Sequence, residues 1–184
     1  PKGKQHDDHD SHYNRYPKDT RPISQPNTDN KTTSALLDIP ASQVANDHVS
    51  NHQSCIKQRQ MADNIIDIEA KALTFALTNS TLSGIIAYDI AAAFPSLSRE
   101  YLFFLLIAMG FPRHYVRAIQ RLYTDNVHFI FLNNIVTLSF LFTSGVKQGC
   151  PLSMTISALA LDPIIRFMAH TITPYDGIIR AYCD

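Results

Sequence analysis

The sequence predicts an α+β fold, a small sheet packed on helices, and three observations predict it. Apolar residues from Gln60 to Asn79 repeat at helical spacing, with no Gly or Pro to interrupt them. Two β-rich runs, Val127 to Leu132 and Ile135 to Phe142, flank Asn133-Asn134, a dipeptide that tolerates positive φ and so closes a hairpin. Two short apolar runs, Gly84 to Ile90 and Ile178 to Tyr182, stand apart from the hairpin and read as strands, the first of them buried and central. A local hairpin among packed helices argues α+β.

In chain order, residues 1–34 are polar and rich in His, Asp, Asn and Pro, with no apolar periodicity, and are expected to be extended or partly disordered. The packed domain is expected to occupy 35–184. Ala35-Leu36-Leu37-Asp38-Ile39, just before Pro40, reads as a helical turn or two. The helix from Gln60 to Asn79 carries Ile65, Ile66, Ile68, Ala72, Leu73, Ala76 and Leu77. Ser98 suits the cap of a helix running through Met109, which Gly110 stops. Pro112 suits the first turn of the next helix, to about Tyr123. That helix places Arg113, Arg117 and Arg121 at i, i+4 and i+8, with Val116 and Ile119 elsewhere on its circumference. The basic face reads either as solvated surface or as a phosphate-contacting stripe. After a loop at 144–151, a helix from Leu152 to about Ala169 is expected to turn Leu152, Ile156, Leu159, Ile164 and Phe167 inward, with a kink at Pro163. Pro174, Asp176 and Gly177 then turn the chain into the last strand.

With 184 residues and 45% hydrophobic content there is enough apolar material for a core, which excludes a disordered tail. Sixteen basic residues balance sixteen acidic ones. No global field therefore draws in nucleic acid, and any binding must rest on a local groove. Cys55, Cys150 and Cys183 are odd in number and widely spaced, and read as free thiols of a reducing compartment. No apolar run approaches the roughly 20 residues of a membrane span, and no signal-peptide pattern opens the chain. A soluble intracellular protein, cytoplasmic or nuclear, is the expectation. The chain starts at Pro1 without Met and stops at a motif-like Asp184, so it reads as a fragment of something longer.

Chemistry concentrates at two places. Ser144-Gly145-Val146-Lys147-Gln148-Gly149-Cys150-Pro151-Leu152-Ser153 runs from a Gly-rich turn straight into an apolar helix, which suits close backbone approach to a paired base and its phosphates. Asp89 and Asp184 each follow a short apolar run, and two carboxylates at neighbouring strand ends suit a shared pair of Mg2+ ions. Phosphoryl transfer from a nucleoside triphosphate uses such ions, roughly 4 Å apart, on the attacking and leaving oxygens. Taken singly, an aspartate in that position is more often a cap or turn residue. The joint context carries the assignment. No rival site assembles: His6, His9 and His12 with their neighbouring aspartates read as a solvated tail, there is no C-x-x-C or H-E-x-x-H, and Ser144 and Ser153 lack a hydrolase elbow.

Ile86-Ala87-Tyr88-Asp89-Ile90-Ala91-Ala92-Ala93-Phe94 resembles motif A of reverse transcriptases, Ser144 to Ser153 resembles their motif B, and Ala181-Tyr182-Cys183-Asp184 resembles the start of their Tyr-x-Asp-Asp motif C. Arg21-Pro22-Ile23-Ser24 and Lys57-Gln58-Arg59-Gln60-Met61-Ala62-Asp63-Asn64-Ile65 are similar to finger segments of the non-LTR, LINE-type group. The resemblance implies the fingers and palm of a right-hand polymerase, with a small antiparallel palm sheet, acting on an RNA template, a DNA primer and dNTP within a larger retrotransposon polyprotein. It implies Asp89 and Asp184 as ligands of two Mg2+ ions, with Mn2+ as a substitute, and the backbone of Tyr88 or Ile90 near the same metal. Phe94 matches the ring that presses on the sugar 2′ position, against the plain alternative of a core aromatic. Gln148 and Gly149 match residues beneath the incoming base pair, Lys147 would touch the template backbone, and Arg21, with Lys2 less clearly, would contact the triphosphate.

Some positions depart from the pattern. Pro95 stands where the family has Asp, Gln58 replaces a Gly, and the chain carries one Asp of motif C and no thumb. These departures lead us to expect the isolated fragment to be inactive. A group II intron maturase-like enzyme and a non-catalytic RNA-binding remnant of a decayed element are the alternative readings.

Overall fold

The computed structural model describes residues 24–182 except Gln58, Ser80, Ala91 and Asn133. Among them the elements run α1 Thr28–His48, α2 Met61–Asn79, α3 Ala93–Ser96, α4 Arg99–Ala108, α5 Arg113–Tyr123, β1 Val127–Leu132, β2 Ile135–Leu141 and α6 Pro151–Ile172, closed by a 3₁₀ turn at Thr173–Tyr175. The mixture is α+β, with one two-stranded antiparallel sheet.

Asn27 caps α1, its Oδ1 accepting the Asn30 N–H at 2.9 Å. Residues 28–34 are thus helical, which corrects the extended segment expected there. The expected domain boundary at 34/35 falls inside one 21-residue helix that continues through Pro40. The buried residues of α1 are Ser34, Ala41 and Ala45, small side chains that let it lie close against α6. A face built from small residues shows little hydrophobic period, so only the short apolar patch was visible.

α4 and α5 form where local signals place them. The Ser98 Oγ accepts the Tyr101 N–H at 3.3 Å, and Gly110 leaves the helix at φ +87°. Leu102 and Leu106 of α4, Val116 and Ile119 of α5, and Leu152, Ile156 and Leu159 of α6 meet in one core. Burial of each such side chain contributes about 1.5–3 kcal/mol. The hairpin pairs Val127 with Leu141 and Leu132 with Ile135, with a register shift between Ile130 and Phe131.

Four expectations are corrected. Gly84 to Ile90 is not a buried strand: it has no regular structure, is exposed along its length, and makes no backbone hydrogen bond to a described residue. Ile178 to Tyr182 forms only a single parallel bridge, Ala181 with Gln53. A strand needs a partner edge, and among the described residues neither run pairs with the other. In α6 the inward face is set by Asp162, Ile165 and Ala169, while Ile164 and Phe167 are exposed. The Asp162 carboxylate accepts the Ser50 N–H at 2.9 Å and Arg166 Nε at 2.6 Å, and these partners turn the helix about its polar anchor. Finally, Cys55 is disulfide-bonded. Only Cys150 is a free thiol among the described cysteines, which removes the cysteine argument for a reducing compartment.

Pro151–Tyr175 is long and apolar enough to cross a membrane by length and composition, contrary to expectation, but 56% of its most apolar window is buried within the protein. It has the character of a core helix.

Candidate active site

The segment 142–150 leaves the hairpin and enters α6, and it is held from beneath by Arg99. That guanidinium donates to the carbonyls of Gly145 (2.8 Å), Phe142 (2.8 Å) and Tyr123 (3.0 Å), and its charge lies over the rings of Tyr123 and Phe142 at 5.1 and 5.0 Å. Burial lowers its pKa from the usual arginine value. Arg99 is the first residue of α4, where the helix dipole disfavours a cation. A basic residue just after a serine cap was the signal that could have pointed to it, and sequence reasoning missed it.

Gly145 sits at φ +70°, and a Cβ there would lie 2.5 Å from the Phe94 carbonyl oxygen and from the Pro95 Cα. The close approach that this glycine permits is therefore to the chain itself. Val146 N–H donates to the same Phe94 carbonyl at 2.9 Å, so the segment ending at Phe94 and the segment beginning at Gly145 are locked together. Phe94 is half-buried and packs against the core. Gln148 is half-buried; its carbonyl accepts the Ser24 N–H at 3.0 Å, and its side-chain amide makes no hydrogen bond to a described residue. Gly149 is exposed at φ +100°, a conformation that favours glycine.

Lys147 departs from its expected role on a template backbone. It is 5% exposed, and its ammonium donates to Asn126 Oδ1 at 2.7 Å and to the Leu122 carbonyl at 3.3 Å, over the Tyr123 ring. Burial lowers its pKa, and the nearby Arg99 charge acts in the same direction. The ammonium is committed to bracing α5 and the hairpin entry, because an uncompensated buried charge would cost more than the bonds it makes here.

Asp89 lies on the exposed run before α3, between exposed Tyr88 and Ile90, and it makes no hydrogen bond or ion pair with a described residue. Its carboxylate is open to a ligand, five residues from Phe94. Asp184, Arg21 and Lys2 lie outside the described residues. No group of three His, Cys, Asp or Glu side chains converges among the described residues. The start of the last segment is anchored elsewhere: Ala181 exchanges backbone bonds with His52 and Ser54 at 2.8 and 3.0 Å and accepts from Asn64 Nδ2 at 3.3 Å.

The family described as reverse transcriptase (RNA-dependent DNA polymerase) matches residues 3–184. Among curated proteins the chain is similar to one named "Transposon TX1 uncharacterized 149 kDa protein" from Xenopus laevis, at 27% identity over 157 residues. That alignment covers 85% of this chain but only 12% of the length of that protein. No solved structure matches the chain.

Proposed function

The chain belongs to the reverse transcriptase (RNA-dependent DNA polymerase) family, and from that premise we propose that it forms the fingers and palm of an enzyme copying the RNA of a non-LTR, LINE-type retrotransposon into DNA. The primer 3′-OH attacks the α-phosphorus of a dNTP, the new phosphodiester forms, and pyrophosphate leaves. Asp89 and Asp184 are the carboxylates we assign to the divalent ions of that chemistry, two Mg2+ or Mn2+. The similarity to a 149 kDa transposon protein, of which this chain spans 12%, supports a place within a larger polyprotein. An intracellular site of action, cytoplasmic or nuclear, belongs to the same proposal.

The observation that carries the reading is the lock between Phe94 and Gly145–Val146. It joins the stretch that would sense the sugar to the stretch that would lie beneath the base pair, with the Arg99 fork holding the second stretch in shape. Fixing these two surfaces before substrate arrives removes an ordering cost from the reaction. Phe94 would then limit room at the 2′ position, and the Gln148 amide, which bonds no described residue, would be free to meet the pair.

The test is RNA-templated primer extension by the parent polypeptide that contains this chain. Asp89→Asn is expected to lower the rate at least about 100-fold while leaving template-primer affinity within a few fold. Extension at an undiminished rate in that variant overturns the role assigned to Asp89, whereas no RNA-templated synthesis by the parent at all sinks the reading and favours a non-catalytic RNA-binding remnant.

A further inference from the structure

Arg113, Arg117 and Arg121 are exposed on α5, and none of the three makes a hydrogen bond or ion pair with a described residue. Every other described arginine is committed. Arg59 and Arg180 pair with Asp67, Arg166 with Asp162, and Arg99 with backbone carbonyls. Among the described residues the uncommitted guanidiniums are therefore gathered on one helix, in a chain whose total charge is zero. α5 contains no Asp or Glu.

Four residues at 1.5 Å rise space the three charges about 6 Å apart along one side. The opposite side carries Val116, Ile119 and Tyr123, all buried. Tyr123 is the ring over which Arg99 and Lys147 lie, so the arginine side is turned away from the 142–149 segment. Helix stability does not explain the pattern, since Arg113 stands in the first turn where the dipole favours an acid. Neither Asp38 of α1, whose charge acts on Tyr115, nor Asp125, which follows the helix end, is bonded to an arginine. His114, exposed beside Arg113, is the one aromatic ring on this side, and no exposed aliphatic side chain of α5 interleaves with the charges to enter a lipid surface.

We infer that this side of α5 is a second RNA-contact surface, gripping the phosphate backbone of the template strand outside the candidate active site. Only the identity of the strand rests on the polymerase reading. Contacts of this kind carry no base information and depend strongly on salt.

The experiment is fluorescence anisotropy of the 184-residue chain with a labelled single-stranded RNA, titrated from low to moderate NaCl. Each phosphate contact on a single strand contributes roughly 0.7 to the slope of log affinity against log salt. The triple variant Arg113→Gln, Arg117→Gln, Arg121→Gln is expected to reduce that slope by about 2 and to weaken low-salt binding about tenfold or more. The corresponding triple Lys variant, which restores charge without the planar fork, is expected to recover most of both, and circular dichroism serves to show that each variant folds. An unchanged slope in a folded Gln variant overturns the inference. So does loss of binding to single-stranded DNA alone, with RNA binding intact. Failure here leaves primer extension untouched, so it is distinguishable from failure of the polymerase reading.

Discussion

At Gly145 two independent penalties meet. The residue sits at φ +70°, where any Cβ is strained, and that Cβ would overlap the Phe94 and Pro95 backbone at 2.5–2.6 Å. Backbone atoms cannot swing aside as the tip of a flexible side chain would. Gly145→Ala is therefore expected to lower stability by about 1–3 kcal/mol, read as a lower urea midpoint at unchanged m-value. A midpoint equal to that of the parent chain would mean that the joint is loose and that Phe94 is not positioned by it. The need for a glycine at this point is legible in the sequence. What presses on it is not, because Phe94 lies some fifty residues away and nothing in either segment names the other. Lys147 makes the same point from the opposite side: its place in a motif suggested a template contact, whereas the packing of Tyr123 and Asn126 decides where its ammonium goes.

Asp162 couples α6 to the turn after α1. Its carboxylate accepts from Ser50 N–H, Gln53 Nε2 and Arg166 Nε, while Arg166 also reaches the His48 carbonyl. Burial by itself would raise its pKa, but the hydrogen bonds from Arg166 and Ser50 outweigh this and hold it below the usual aspartate value. A folded-state value below the unfolded one means that the charged group stabilises the fold above pH ~4. That contribution disappears as the pH falls through the lower folded value. Asp162→Asn is expected to cost about 1–3 kcal/mol at pH 7, with the gap to the parent chain closing below pH ~4 in urea melts. A gap that stays constant from pH 6 to pH 3 would contradict this account. The elements that were legible in advance, α2, α4, α5 and the hairpin, have strong periodicity or punctuation of their own, such as Ser98, Gly110, Pro112 and Asn134 at φ +61°. The runs 84–90 and 178–182 have the composition of strands, but strand pairing is non-local and no residue within them specifies a partner. α1 escaped notice because Ala41 and Ala45 pack through smallness, and the inward turn of α6 was misjudged because a hydrogen-bonded aspartate outranks Ile164 and Phe167 there.

Stability across the molecule is uneven in a way that follows from what each helix buries. α1, α4, α5 and α6 share a core in which Leu102, Leu106, Ile119, Leu152 and Ile156 are fully enclosed. α2 has a clear helical periodicity, yet its one buried residue is Asn64, and Ile65, Ile66, Leu73 and Leu77 remain exposed. An apolar stripe states that a helix can pack, not that a partner is present to receive it. What holds α2 is polar: Asp67 with Arg59 at 2.9 Å and Arg180 at 3.1 Å, Lys71 with Asp176, and Asn64 with Ser54. The two arginines keep the Asp67 carboxyl below its usual value. The ion pairs among these pins are partly solvated and screened by salt, unlike a closed core. Amides of α2 are therefore expected to exchange with deuterium at least about tenfold faster than those of α6, and raising NaCl to about 1 M, where the screening length falls to about 3 Å, should accelerate α2 selectively. Hydrogen exchange read by mass spectrometry on peptides from the two helices measures both effects. Equal protection, insensitive to salt, would show that α2 opens only with the whole fold. In that case the ion pairs would be incidental, and the exposed apolar stripe would need a partner to account for its stability.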